Sequence, residues 1–174
     1  MAKHTLTPAA WIEAGLAQLT TEGPQALRAE PLARYLKTTK GSFYWHFKDV
    51  PAFHDAVLAH WKDGALTAAA ALKDADGSAA ERLIQLGQTV QNDSADAALR
   101  AWGQSNPLVA QSVADVDAVR MAQLGELLTE MGTSNDDFAK AAYGALVGLR
   151  QMKMDDGDAL VAYASLIDLV LALQ

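Results

Sequence analysis

The sequence predicts an all-α fold of about nine helices. Apolar residues recur at spacings of three and four, strict alternation never persists, and the breaks between periodic segments carry turn or capping residues. Thr7-Pro8 opens the first helix, since Thr caps and Pro suits the first turn. Ile12, Leu16 and Leu19 continue it, and Gly23-Pro24 stops it. A second helix fits 29–36, with Pro31 tolerable in its first turn and Leu32, Ala33 and Leu36 on the inner face. A turn at Lys37-Thr38 leads to a short aromatic-rich segment, 39–47. Asp49 and Pro51 start a long helix ending near 73, striped by Phe53, Val57, Leu58 and Trp61. After a loop at 74–78, helices fit about 79–91, 95–105, 108–131, 135–153 and 158–173. Their breaks are Asn92-Asp93-Ser94, Asn106-Pro107, Gly132-Thr133-Ser134 and Asp155-Asp156-Gly157, and 108–131 divides near Asp115 in one reading.

The chain has 174 residues, 51% apolar and 20% charged, the composition of one soluble domain or a domain with a small module. No apolar run reaches the roughly 18 residues that a membrane span requires. The N-terminal residues lack the apolar core of a signal peptide, and there is no Cys. A cytoplasmic location, no membrane and no disulfide framework are expected. The net charge of −7 at first argues against nucleic acid. The sum hides a split: residues 1–62 carry seven Lys/Arg against five Asp/Glu, whereas 63–174 carry seven against sixteen. All four His and three of the four Trp also lie in the first piece.

The last two helices are unusually apolar, the final one nearly all round. A helix apolar on every side must be covered on every side. The cover is either the centre of one monomer or a second subunit, and the short chain favours the second subunit. Ala142, Leu146, Leu149, Leu166, Leu169 and Val170 are the candidate homodimer interface.

Residues 29–47 have the plan of a helix-turn-helix, whose second helix enters the major groove. Phe43 and Phe47, four apart, face the supporting helices, and Trp45 is expected to pack among them. Thr39, Lys40, Ser42, Tyr44, His46 and Lys48 supply hydroxyls, cations and a phenol, the donors that reach base edges and phosphates.

Leu32-Ala33-Arg34-Tyr35-Leu36 followed by the run Thr39 to Lys48 is very similar to the DNA-binding signature of TetR-family transcriptional regulators. The resemblance covers about residues 7–62. It implies a three-helix DNA-binding domain at 1–50 and a helical ligand-binding and dimerisation domain at 51–174, with helix 51–73 connecting the two. It also implies a homodimer on a palindromic double-stranded operator, acting as a repressor that a small-molecule effector releases. Arg28 would contact phosphate; Thr39, Lys40 and Ser42 would face bases; Tyr44, His46 and Lys48 would hold phosphates. Two positions depart from the pattern. Lys37-Thr38 replaces the usual Gly-Val of the turn, and Val50 stands where a phosphate-binding cation is common, a loss that Lys48 partly makes up. Arg100-Ala101-Trp102, Asn106-Pro107, Asp117 and Arg120 resemble the C-terminal domain of one bacterial subgroup.

Leu99, Trp102, Met121, Leu124 and Tyr143 are candidate effector-pocket residues, large apolar groups with two polar handles. No cofactor is implied. His54 and His60, six apart, fall on different faces of one helix, and Asp155, Asp156 and Asp158 lack the spacing of a calcium loop. The alternatives are a DNA-binding dimer that senses a protein partner or nothing, and, more remotely, a small all-α enzyme, for which no catalytic motif is present.

Overall fold

The computed structural model describes residues 6–152 and 156–172, and these form nine α-helices and no strand. They are α1 (Pro8–Glu22), α2 (Ala29–Tyr35), α3 (Lys40–His46), α4 (Val50–Lys73), α5 (Ala79–Asn92), α6 (Asp96–Gly103), α7 (Pro107–Glu130), α8 (Asp136–Gln151) and α9 (Asp156–Ala172). Capping chemistry sets most of the starts. Thr7 Oγ1 accepts from Ala10 N at 3.2 Å, and Asp49 Oδ1 accepts from Ala52 N at 2.8 Å. Ser78 and Glu81 form a reciprocal capping box, and Asn106 and Asn135 cap α7 and α8 through their side-chain oxygens. Helix α7 runs unbroken through Asp115, which pairs with Lys62 of α4.

The core has two centres. In the first, Trp11, Leu32, Phe43 and Phe53 pack with Leu99, Trp102, Val109 and Val113. Helix α6 and the start of α7 therefore share a core with α1–α3. The second centre gathers Leu72, Leu86, Leu124, Leu146, Tyr163 and Ile167. Helices α4 and α7, 24 residues each, cross both centres. At 1.5 Å per residue each spans about 36 Å. At the crossing of α1 with α4, a Cβ on Gly15 would meet Phe53 Cζ at 2.7 Å. Only glycine lets these two backbones approach so closely.

The turn between α2 and α3 closes as a Schellman motif. Thr38 N donates to Ala33 O at 2.8 Å and Lys37 N to Arg34 O at 3.2 Å, with Lys37 at φ 53°. That left-handed conformation costs a β-carbon-bearing residue on the order of 1 kcal/mol. Lys37→Gly is expected to raise the urea midpoint, by up to about 1 kcal/mol in unfolding free energy. An unchanged or lower midpoint would show that the turn carries no strain.

The last helix differs from expectation. Ala159, Tyr163 and Ile167, four apart, bury one stripe of α9 within its own chain, while Val161 and Leu169 are 67% and 58% exposed. One protomer thus covers one side of α9 and leaves another open. The candidate interface residues divide accordingly. Ala142 and Leu146 are fully enclosed by their own chain and have no surface left to offer a partner. Leu149 and Leu166 are half-buried, Leu169 is exposed, and the Val170 side chain lies outside the described residues.

Candidate nucleic-acid interface

Helix α3 has seven residues, and its orientation follows from two of them. Phe43 is fully buried, in edge contact with Trp11 at 5.4 Å and Phe53 at 5.2 Å, and Phe47 at the end of the helix packs against Phe53 at 4.9 Å. Phe43 and Phe47 lie about 40° apart on the helix, so the opposite side must face solvent. Gly41 and Trp45 lie there and Lys48 follows them, while Lys40 and Tyr44 flank the buried side; all five are exposed, a continuous stripe at one- and four-residue steps.

Trp45 corrects the sequence reading. It does not pack between helices but is 83% exposed, with its ring set edge-on to His46 at 5.5 Å. Two residues along a helix turn it about 200° away from Phe43, and no neighbouring helix reaches that side. Ser42 and His46 are half-buried at the edges of the stripe, and Thr39 is exposed at the start of α3.

Beside the stripe lies a groove of about 610 Å³. Arg28 and Arg34 from α2 and its approach line it, together with Lys40, Tyr44 and Val50. The Lys40 ammonium lies 6.0 Å from the Tyr44 ring centroid, at the edge of cation–π range. Three cations and a phenol thus line one concave surface, together with a single carboxylate, Glu30. Arg34, which the sequence reading left unassigned, belongs to this group. Its signal was there: it directly follows the buried Leu32-Ala33 pair and must point away from it. Val50 sits in the same groove without a charge, so the cationic character comes from Arg28, Arg34 and Lys40.

Two anchors hold this head against the rest of the chain. His54 on α4 bonds through Nε2 to Leu27 O at 2.9 Å, and its ring meets Trp102 of α6 edge-on at 5.0 Å. Behind it runs a buried ionic lattice. Arg100 bonds Asp96 at 2.7 Å and Asp117 at 2.6 Å; Arg120 bonds Asp93 at 2.9 Å and Asp96 at 3.3 Å. Tyr143 donates to Asp117 at 2.7 Å, and Trp61 Nε1 donates to both Asp93 oxygens. Arg150 donates to the backbone carbonyls of Val90 and Asp93. Burial opposes the charge on Arg100, but its bonds to Asp117 and Asp96 outweigh that and raise its pKa. Burial likewise opposes ionisation of Asp117, yet Arg100 and Tyr143 hold its carboxyl below the ordinary range. Tyr143 is pushed upward, by burial first and by Asp117 second.

The five candidate effector residues are not brought together. Leu99 and Trp102 belong to the first core centre, and Leu124 and Tyr143 to the second. Met121, half-buried, packs against that second centre and also lines a groove between α7 and α8, so the five divide between the two centres. Among the described residues no three His, Asp or Glu side chains are grouped to hold a metal ion, and no helix is long and apolar enough to cross a membrane.

Two solved structures share this architecture over nearly their whole length. One, described as a TetR-family transcriptional regulator from Rhodococcus sp., superposes with TM-score 0.76 at 19% identity, covering 94% of this chain and 98% of its own. The chain has the TetR-regulator fold. The other, a fatty acid metabolism regulator from Clostridium perfringens, gives TM-score 0.69 at 11% identity over 91% and 96% of the two chains. No family model and no curated protein matches the sequence. Helices α2 and α3, joined by the tight turn, have the plan of a helix-turn-helix, and the exposed stripe described above is the outer face of α3.

Proposed function

We propose that this protein is a TetR-like transcriptional regulator, a repressor that binds a palindromic operator as a homodimer in the cytoplasm and is released by a small-molecule effector. The observation that carries the reading is the exposed face of α3 beside the Arg28–Arg34–Lys40 groove, in a chain whose overall net charge is −7. Excess acid elsewhere repels DNA from every other face and leaves this one as the docking side. Lys40 and Ser42 would read base edges, and Arg28, Arg34, Tyr44 and Lys48 would hold phosphates. Trp45, projecting from the same face, offers an apolar edge to a thymine methyl.

The dimer reading is supported by the outer sides of the last two helices. A Cβ on Gly144 or Gly148 of α8 would meet nothing within 4 Å, and Met152 is 70% exposed beyond them. Val161 and Leu169 of α9 are exposed apolar groups as well, of the kind a second copy would cover. A two-fold pairing would set two recognition helices at the ~34–36 Å repeat of the major groove. Leu169→Glu is expected to give monomers in sedimentation with an unchanged helical spectrum, because the side chain is exposed in the protomer. A persistent dimer would move the interface elsewhere.

The test of the reading as a whole is selection of bound DNA from random sequence by the intact protein. The expected product is one palindrome with half-sites about one helical turn apart. Failure to enrich any sequence would overturn it. Should DNA bind but no small molecule release it, the chain would be a DNA-binding dimer that answers to a protein partner or to no ligand.

A further inference from the structure

We propose that Lys37, in the turn between α2 and α3, is a further DNA contact that takes a phosphate of its own, and that the strained turn persists for the sake of this charge. The inference deepens the regulator reading and rests on its DNA-binding part alone.

The backbone supplies the first observation. Four of the described residues hold a positive φ, and three of them are glycines: Gly23, Gly77 and Gly132. Lys37, at φ 53°, is the fourth and carries a β-carbon. Glycine would adopt that conformation without the clash. Nor does the turn need a lysine to close, because both of its bonds are made by backbone atoms, Thr38 N to Ala33 O and Lys37 N to Arg34 O. Strain that persists where glycine would remove it collects at functional sites.

The pairing of the lysines supplies the second. Among the described residues, Lys62 pairs with Asp115, Lys73 with Glu126 and Lys140 with Asp137. These three lie on α4 and α8, beyond the helix-turn-helix. Lys37, Lys40 and Lys48 are exposed, and no carboxylate among the described residues pairs with any of them. The body of the chain neutralises its lysines, whereas the head keeps three free. A free ammonium is a compact point charge with three donors, which suits a phosphate oxygen.

Position supplies the third. Thr39 Oγ1 would lie 3.7 Å from a Cβ on Gly41, so the end of the turn adjoins the exposed stripe of α3. Lys37 precedes Thr39 by two residues, at most about 7 Å of chain. It does not line the groove of Arg28, Arg34 and Lys40. Arg28 stands at the N-terminal end of the seven-residue α2, and Lys37 lies just past its C-terminal end. The helix between them is about 10 Å long. With α3 in a major groove about 12 Å wide, cations set so far apart would meet separate phosphates.

The experiment uses the full chain and measures binding to two labelled duplexes over a salt series, one of random sequence and one that the protein itself selects. Lys37→Gly removes strain and charge together. Lys37→Asn removes the charge with a residue that tolerates the left-handed backbone, and Lys37→Arg keeps the charge. Both neutral variants should have urea midpoints at or above wild type. They should nevertheless bind either duplex about tenfold more weakly near 0.1 M salt, and the gap should close as salt rises. The slope of log affinity against log salt should become shallower by about one for each Lys37 lost, hence about two in a dimer. Lys37→Arg should hold the wild-type slope. The selected sequence should not change, because a phosphate contact reads no bases. Higher stability with weaker binding is an outcome that a purely structural residue would not give. Unchanged affinity in both neutral variants, a loss at unaltered slope, or an equal loss in Lys37→Arg would each overturn the proposal. DNA bound without any preferred sequence would strike the operator reading alone, and the result on the random duplex would stand. A wild-type chain that binds neither duplex would overturn both.

Discussion

Arg120→Ala should lower the unfolding free energy by about 3–5 kcal/mol, since removing one partner of a buried ionic pair leaves the other charge uncompensated. Arg120 is 3% exposed and Asp96 is fully buried. The loss would leave Asp93 with only the Trp61 indole against its side chain, and Asp96 with Arg100 alone. Against a typical total of about 5–15 kcal/mol this is a large fraction, visible as a lower urea midpoint at unchanged slope. A loss below about 1 kcal/mol would mean that water replaces the guanidinium and that the lattice is not held dry. The same lattice sets a pH dependence. Asp117 is held below its ordinary pKa, so its pairing adds stability that is fully present above the unfolded-state value near 4 and is lost as pH falls through the depressed one. In Asp117→Asn that acid-side loss should be shallower, and stability at neutral pH should already be reduced.

The second large effect is on DNA. Lys40→Ala with Tyr44→Ala should abolish operator binding in a gel shift while the dimer stays intact and the melting temperature falls by only a few degrees. Both side chains are exposed; Lys40 is not part of the core, and the Tyr44 ring touches it only edge-on, against Phe43 at 5.2 Å. The wild-type affinity should also fall steeply with salt, because each phosphate neutralised by a cation releases counterions, and each cation removed should reduce the slope by about one. Unchanged affinity in the double variant would remove α3 from the interface. A flat salt response would remove the phosphates.

The order of the helices was legible because their ends are written in side chains. Thr7, Asp49 and Asn106 cap the helices that they were expected to start, and Ser78, read as the end of a loop, caps the next one. The exposed side of α3 was legible in part: Phe43 and Phe47 fixed the inner side, and Lys40, Tyr44 and Lys48 were expected outside it and are exposed. Trp45 was misplaced because a run of aromatics looks uniformly apolar until the 100° step between residues is applied to each. The effector candidates were beyond the reach of spacing. Leu99 and Leu124 carry the same signal, an apolar residue at helical period, but they lie in different core centres because α7 passes through both. Ala142 and Leu146 were read as interface for a related reason: a helix apolar on several sides does not say which side its own chain takes.

Sharing of one core between the head and α6 has a consequence for how such a chain can acquire new specificity. Cutting at residue 73 and joining the N-terminal part to another body would strip Leu99, Trp102, Val109 and Val113 from Trp11, Phe43 and Phe53. The excised head would expose an apolar wound and unfold, and a foreign body would have to reproduce that surface to accept it. On the proposed reading, specificity in this chain is therefore open to single substitutions along α3, where side chains face water, and closed to exchange of whole modules.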